Sequence, residues 1–189
     1  MISNDIRIIS ACTQEWDKNI NDGKCPNLSI SGVGKVNATI HTMKIIQVHK
    51  PKLIINYGTG ASKTFWGKLV DCNKFIQGDM DVTALGFREG ETPYEEDIPS
   101  LIDFSQSDIT NPLRYDLTCY TGDKFRFPNQ YEDVVDMEAY AMAKVCYLNN
   151  VDFIAYKYIT DEGCADDWVS NCARGTSQFL DVLKSYEDI

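Results

Sequence analysis

Short apolar runs alternate with longer stretches of helical spacing along most of the chain. Ile6 to Cys12 is apolar and β-branched and predicts a buried first strand. Leu28 to Val33 predicts a second, ending in Gly32-Val33-Gly34. From Lys35 to Lys50 the apolar residues Val36, Ile40, Met43 and Val48 recur at mostly helical spacing, and Pro51 stops the helix. Leu53 to Tyr57 is a third short strand, followed by Gly58-Thr59-Gly60. Trp66 to Phe87 reads as one or two strands with a turn near Gly78. Gly90 to Pro99 is polar and carries Pro93 and Pro99, so it reads as a loop, and Ser100 to Phe104 as the start of a short helix. Tyr115 to Tyr120 and Val134-Val135 predict two more strands. Met137 to Leu148 predicts a strong helix, capped by Asp136 and ended by Asn149-Asn150. Val151 to Ile159 is a strand that leaves through Thr160-Asp161-Glu162-Gly163, and a last helix runs to about Tyr186.

Strands alternating with helices imply a layered α/β architecture. The length of 189 residues favours one domain over residues 1–189. Glycines and polar side chains cluster just past strand ends: Gly32, Gly34, Thr59, Asp123, Glu138 and Asp161. Open α/β sheets bind ligands outside the carboxyl ends of their strands, so chemistry is expected there.

Charge and composition narrow the chemistry. With 28 acidic and 18 basic residues the net charge is -10, and the basic residues are scattered. Phosphate backbones need clustered Lys and Arg, so nucleic acid is excluded as a partner. No apolar run approaches the ~20 residues that span a membrane, and no basic-then-apolar leader precedes Ile6. The seven cysteines form no Cys-x-x-Cys pair, which fits a reducing compartment, and the cytoplasm is the expected location. The two histidines, His41 and His49, lie in one helix-like stretch, so no metal site is expected.

Each motif has a plain structural explanation. Gly32-Val33-Gly34 resembles the start of a dinucleotide fingerprint, but Asn37 stands where a third glycine belongs, and the glycines are expected to serve a tight turn. Asp136 and Glu138 suit a helix start, where a cap and a first-turn carboxylate complement the helix dipole. Asp161 suits a turn, and Glu15 an exposed loop. Three carboxylates at strand exits nevertheless supply what glycosidic cleavage requires, an acid and a base at separate positions.

Read in order, several segments resemble the 5′-methylthioadenosine/S-adenosylhomocysteine nucleosidase family of the nucleoside phosphorylase fold. They are Ile8-Ile9-Ser10-Ala11 with Glu15, Ser31-Gly32-Val33-Gly34-Lys35-Val36-Asn37-Ala38, Ile54-Ile55-Asn56-Tyr57-Gly58-Thr59-Gly60 and Asp81-Val82-Thr83-Ala84-Leu85-Gly86. Thr121-Gly122-Asp123-Lys124-Phe125, Val135-Asp136-Met137-Glu138-Ala139 and Ile159-Thr160-Asp161 complete the series. The resemblance implies a three-layer sandwich with a central mixed β-sheet flanked by helices.

It also implies roles. Glu15 corresponds to the base that activates water, and Asp161 to the acid that protonates adenine N7. Glu138 corresponds to the carboxylate that holds ribose hydroxyls, and Met137 packs on the sugar. Phe125 stacks on adenine, Thr59 lies near ribose and nucleophile, and Thr160 orients Asp161. Lys157 stands where the family has Arg near the nucleophile, and Arg126 next to Phe125 is counted with the substrate-binding group. Val82 and Leu85 are implied to close the pocket of a neighbouring subunit in a homodimer. The stretch between Glu15 and Ser31 is shorter than in the family. No metal or organic cofactor is implied. The expected substrate is a small-molecule adenine nucleoside cleaved by water. Phosphorolysis would need a phosphate pocket that neither Arg7 nor Arg126 matches, and a non-catalytic nucleoside-binding protein would lack an acid or base that this sequence retains.

Overall fold

A computed structural model describes residues 3–18, 25 and 27–187. The shortened stretch after Glu15 therefore falls partly outside the described residues. The strands are β1 (Ile6–Ser10), β2 (Leu28–Ile30), β3 (Leu53–Ala61), β4 (Leu69–Gln77), β5 (Leu101–Asp103), β6 (Leu117–Thr121), β7 (Val134–Asp136) and β8 (Asp152–Asp161). The helices are α1 (Lys35–His49), α2 (Ala139–Leu148), α3 (Ala165–Asn171) and α4 (Thr176–Leu183). Short 3₁₀ turns occupy Thr13–Glu15, Thr83–Leu85 and Lys184–Tyr186. Among the described residues no helix is long and apolar enough to cross a membrane.

The expected α/β sheet is present, and it closes on itself. β3 pairs in parallel with β1 and β8; β8 pairs antiparallel with β4; β4 and β6, then β6 and β7, pair in parallel. The Ala61–Val135 bridge returns β7 to β3 and completes a ring of strands, with β1–β2 and β5 attached outside it. One edge of β3 is thus shared. β1 covers it from Leu53 to Asn56, and β7 touches it only at Ala61. Between them, beyond the reach of β1, the Thr59 N–H is taken by a side chain rather than by a strand.

Helices cover both faces. On one, α2 buries nearly its whole circumference, including Tyr140, Met142 and Cys146, in a cluster with Phe75, Ile102 and Phe153. On the other, α4 inserts Phe179 against Tyr57, the rings stacked 4.2 Å apart, with Trp16 edge-on to both. Such buried aromatics each remove large apolar areas from water and carry much of the core's stability.

Three local readings differ from expectation. Leu101–Asp103 is a strand on the edge of β4, because its two exposed ends flank a single buried Ile102 that packs in the core. The expected last helix is two helices, α3 and α4, with a break at 172–175. In α1 the apolar set faces outward: Val36 is 69% and Ile40 50% exposed. The buried face is Ala38 and Thr42, small residues one turn apart that let α1 lie close to α2. Close approach of small residues outweighed the larger apolar stripe.

Candidate active site

The open edge of β3 faces a cavity of about 420 Å³ whose wall is mostly apolar. Glu15, Glu138 and Asp161 all line it, together with Thr59, Met137, Phe125 and Arg126. The three carboxylates come from three separate strand exits, after β1, after β7 and at the end of β8.

Glu15 is buried, contrary to the exposed loop residue its local sequence suggests. Its Oε2 accepts from the Ser10 hydroxyl at 2.8 Å and from the backbone N–H groups of Ala11 and Cys12 at 3.2 and 3.4 Å. Its Oε1 accepts from the Thr59 N–H at 2.7 Å and the Thr59 hydroxyl at 3.0 Å. The Thr59 N–H is one of the donors that β1 leaves unpaired. The approach is so close that a Cβ on Gly58 would lie 2.9 Å from Glu15 Oε1, which only glycine avoids.

Asp161 ends β8 in a tight turn. Thr160 donates its hydroxyl to Oδ2 at 2.6 Å, and the Gly163 N–H donates to Oδ1 at 2.6 Å. Burial raises the Asp161 pKa above the ordinary carboxylate value, and these two donors only partly offset it. Gly163 has φ +107°, and a Cβ there would stand 2.6 Å from the backbone of Phe127. The Asp161 turn and the Phe125-bearing loop therefore pack backbone to backbone.

Glu138 precedes α2 and accepts from the Gly34 N–H at 2.8 Å. Burial, then the nearby Asp136 charge, push its pKa up to about 8, with Lys157 opposing and Glu15 adding to the rise. Asp136 is equally buried and behaves oppositely. It accepts from Thr121 Oγ1 at 2.5 Å and from the Ala139 N–H at 2.9 Å, and it pairs with Lys157 Nζ at 2.6 Å. Burial favours its neutral form, but the Lys157 ammonium outweighs this and holds Asp136 ionised. Burial likewise works against the Lys157 charge, and Asp136 more than restores it.

Lys157 needs correction as a ligand-contacting residue. It is not in the cavity wall; it lies beneath it, 1% exposed, with its ammonium committed to Asp136. Arg126 does border the cavity, but its guanidinium forks onto both oxygens of Glu132 at 2.7 and 2.5 Å. Phe125 presents a half-exposed ring to the cavity. Val82 and Leu85 are outside this cavity, and Leu85 is exposed on the surface.

Sequence reasoning missed Trp168. It lines the cavity from α3 and donates its Nε1–H to Thr59 Oγ1 at 2.9 Å. It also took Asp136 for a cap alone; the available signal was Lys157, a cation inside an unbroken buried strand, which demands a buried partner.

The family model of the Phosphorylase superfamily matches residues 18–186. A 5′-methylthioadenosine/S-adenosylhomocysteine nucleosidase of Haemophilus influenzae is 34% identical over 182 residues, covering 84% of this chain and 76% of the relative. One from Staphylococcus haemolyticus is 30% identical over 185 residues, covering 82% and 79%. A mutant nucleosidase of Helicobacter pylori, solved with 5′-methylthioadenosine in its active site, has a TM-score of 0.81 at 18% identity over 97% of both chains. Futalosine hydrolase of the same organism has a TM-score of 0.80 at 18% identity, again over 97% of both. At that identity the two structures establish the shared fold.

Proposed function

The chain belongs to the 5′-methylthioadenosine/S-adenosylhomocysteine nucleosidase family within the phosphorylase superfamily, and from that premise we propose that it is an N-glycosyl hydrolase that releases adenine from an adenine nucleoside. The nucleoside is of the 5′-methylthioadenosine, S-adenosylhomocysteine or 5′-deoxyadenosine type. One observation carries the assignment: Glu15, Glu138 and Asp161 converge on one largely apolar cavity.

Adenine leaves poorly until N7 is protonated. Asp161, its pKa raised by burial, holds a proton for that step closer to neutrality than an ordinary Asp. As the bond lengthens, the sugar acquires oxocarbenium character, and carboxylates in a water-poor cavity stabilise it. Glu138 holds the ribose hydroxyls while Met137 packs on the sugar. Glu15, fixed by its ring of donors, takes the proton from the attacking water. Phe125 stacks on the base.

The charge balance disfavours phosphate as nucleophile. The guanidinium of Arg126 and the ammonium of Lys157 are each bound by a carboxylate, and Lys124 in the cavity wall is set against Glu15, Glu138 and Asp161, which would repel an anion. Adenine release from 5′-methylthioadenosine is therefore expected at the same rate with and without phosphate. A strict phosphate requirement would overturn the assignment.

The exposed apolar strip of Val33, Val36 and Ile40, and the exposed Leu85, support a homodimer in which Val82 and Leu85 close the partner's pocket. All seven cysteines are free thiols, which supports action in the cytoplasm.

A further inference from the structure

We propose that Trp168 is a positioning residue that commits the Thr59 hydroxyl proton to Glu15. The proposal rests on Glu15 acting as the base.

An indole N–H can only donate, whereas a hydroxyl carries one proton and can both donate and accept. Trp168 Nε1 lies 2.9 Å from Thr59 Oγ1, so Thr59 must accept there. Its single proton is then left for Glu15 Oε1, 3.0 Å away. The chain of donors runs one way: indole to hydroxyl to carboxylate. Without the indole, the hydroxyl is free to turn its proton toward water in the cavity, and Oε1 keeps only the Thr59 N–H.

The placement of α3 gives this chain of bonds a second consequence. The helix begins at Ala165, four residues beyond Asp161. Its far end is tied back to β8 by Asn171, whose side-chain amide donates to the Thr160 carbonyl at 3.1 Å. Trp168 projects from this short helix to the residue that grips Glu15. The element that follows the acid thus also sets the base, and the two ends of the reaction share one support.

A merely structural Trp168 would be a wall of the cavity, and a double-mutant cycle separates the two roles. The variants are Trp168→Phe, Thr59→Val and the pair, with Thr59→Ser as the conservative control and Glu15→Gln as the test of the base itself. Melting temperatures establish that each is folded, and Thr59→Ala replaces Thr59→Val if the latter is not. The expected result is that each single change lowers kcat about tenfold with KM changed far less. Thr59→Ser, which keeps the hydroxyl, loses much less kcat than Thr59→Val and retains its coupling to Trp168, and the double variant is no slower than Thr59→Val alone. Additive losses in the double variant, or a Trp168→Phe effect confined to KM, would overturn the proposal. If Glu15→Gln keeps the parental rate, the assignment of the base itself fails, and the proposal with it.

Discussion

Asp136 and Glu138 stand two residues apart, both buried at the same end of β7, yet their pKa values shift in opposite directions. Asp136 has Lys157 at 2.6 Å and stays ionised. Glu138 has one backbone donor and no cation of its own, and its pKa climbs to about 8. Burial is common to both, so burial alone does not set the charge; a dedicated counter-ion does. Both line the cavity, but the ionised residue is committed to the Lys157 ammonium beneath it, while the readily neutralised one has no such pairing. Family resemblance placed Lys157 at the ligand, but in this fold its charge is spent on structure.

Removing the counter-ion should erase the contrast. Lys157→Met leaves Asp136 buried without its cation, and breaking such a pair costs about 3–5 kcal/mol. The melting temperature is expected to fall by roughly 10 °C near neutral pH. The deficit should shrink in acid, because Asp136 can then take up a proton. An unchanged melting temperature would mean that the pair contributes nothing to the fold.

A second change tests the other member. The Glu138 pKa is raised from 4.5 to about 8. Its proton therefore stabilises the native state fully below the unfolded value, and that contribution is lost as pH climbs through the folded value. Glu138→Gln keeps the neutral form throughout. Its melting temperature should match the parent near about pH 5 and exceed it by ~5 °C near about pH 9. The same variant should lose turnover, since the carboxylate can no longer form. A difference in melting temperature that is flat across pH would contradict the raised pKa.

The smallest effect concerns geometry. Thr121 donates to Asp136 and accepts from the Tyr140 N–H at 2.8 Å, so Thr121→Val removes one charge-assisted bond and leaves one donor unpaired. A loss of about 2 kcal/mol is expected in chemical denaturation, less than for Lys157→Met. A larger loss would show that hydroxyl contacts, rather than the cation, hold Asp136.

These contrasts also show what the sequence could reveal. Glu15, Glu138 and Asp161 are legible as carboxylates that follow apolar runs, where α/β sheets place chemistry, but their separate roles come from the family resemblance. The closure of the sheet was hidden, since the pairing of β4 with β8 joins distant segments and leaves no local pattern. The buried face of α1 is not legible from apolar spacing, which ignores how closely Ala38 and Thr42 let two helices approach. Trp168 was absorbed into a supposed single helix, and its one polar atom matters only through Thr59, more than a hundred residues earlier in the chain. Lys157 was legible as a buried cation, but which of several carboxylates it meets depends on the fold.

The central claim is that this cavity delivers water to the sugar. Turnover of 5′-methylthioadenosine in heavy-oxygen water containing phosphate tests it directly, with the sugar product read by mass spectrometry. The account predicts one heavy oxygen at the anomeric carbon and no sugar phosphate. A sugar 1-phosphate without solvent oxygen at that carbon would contradict it.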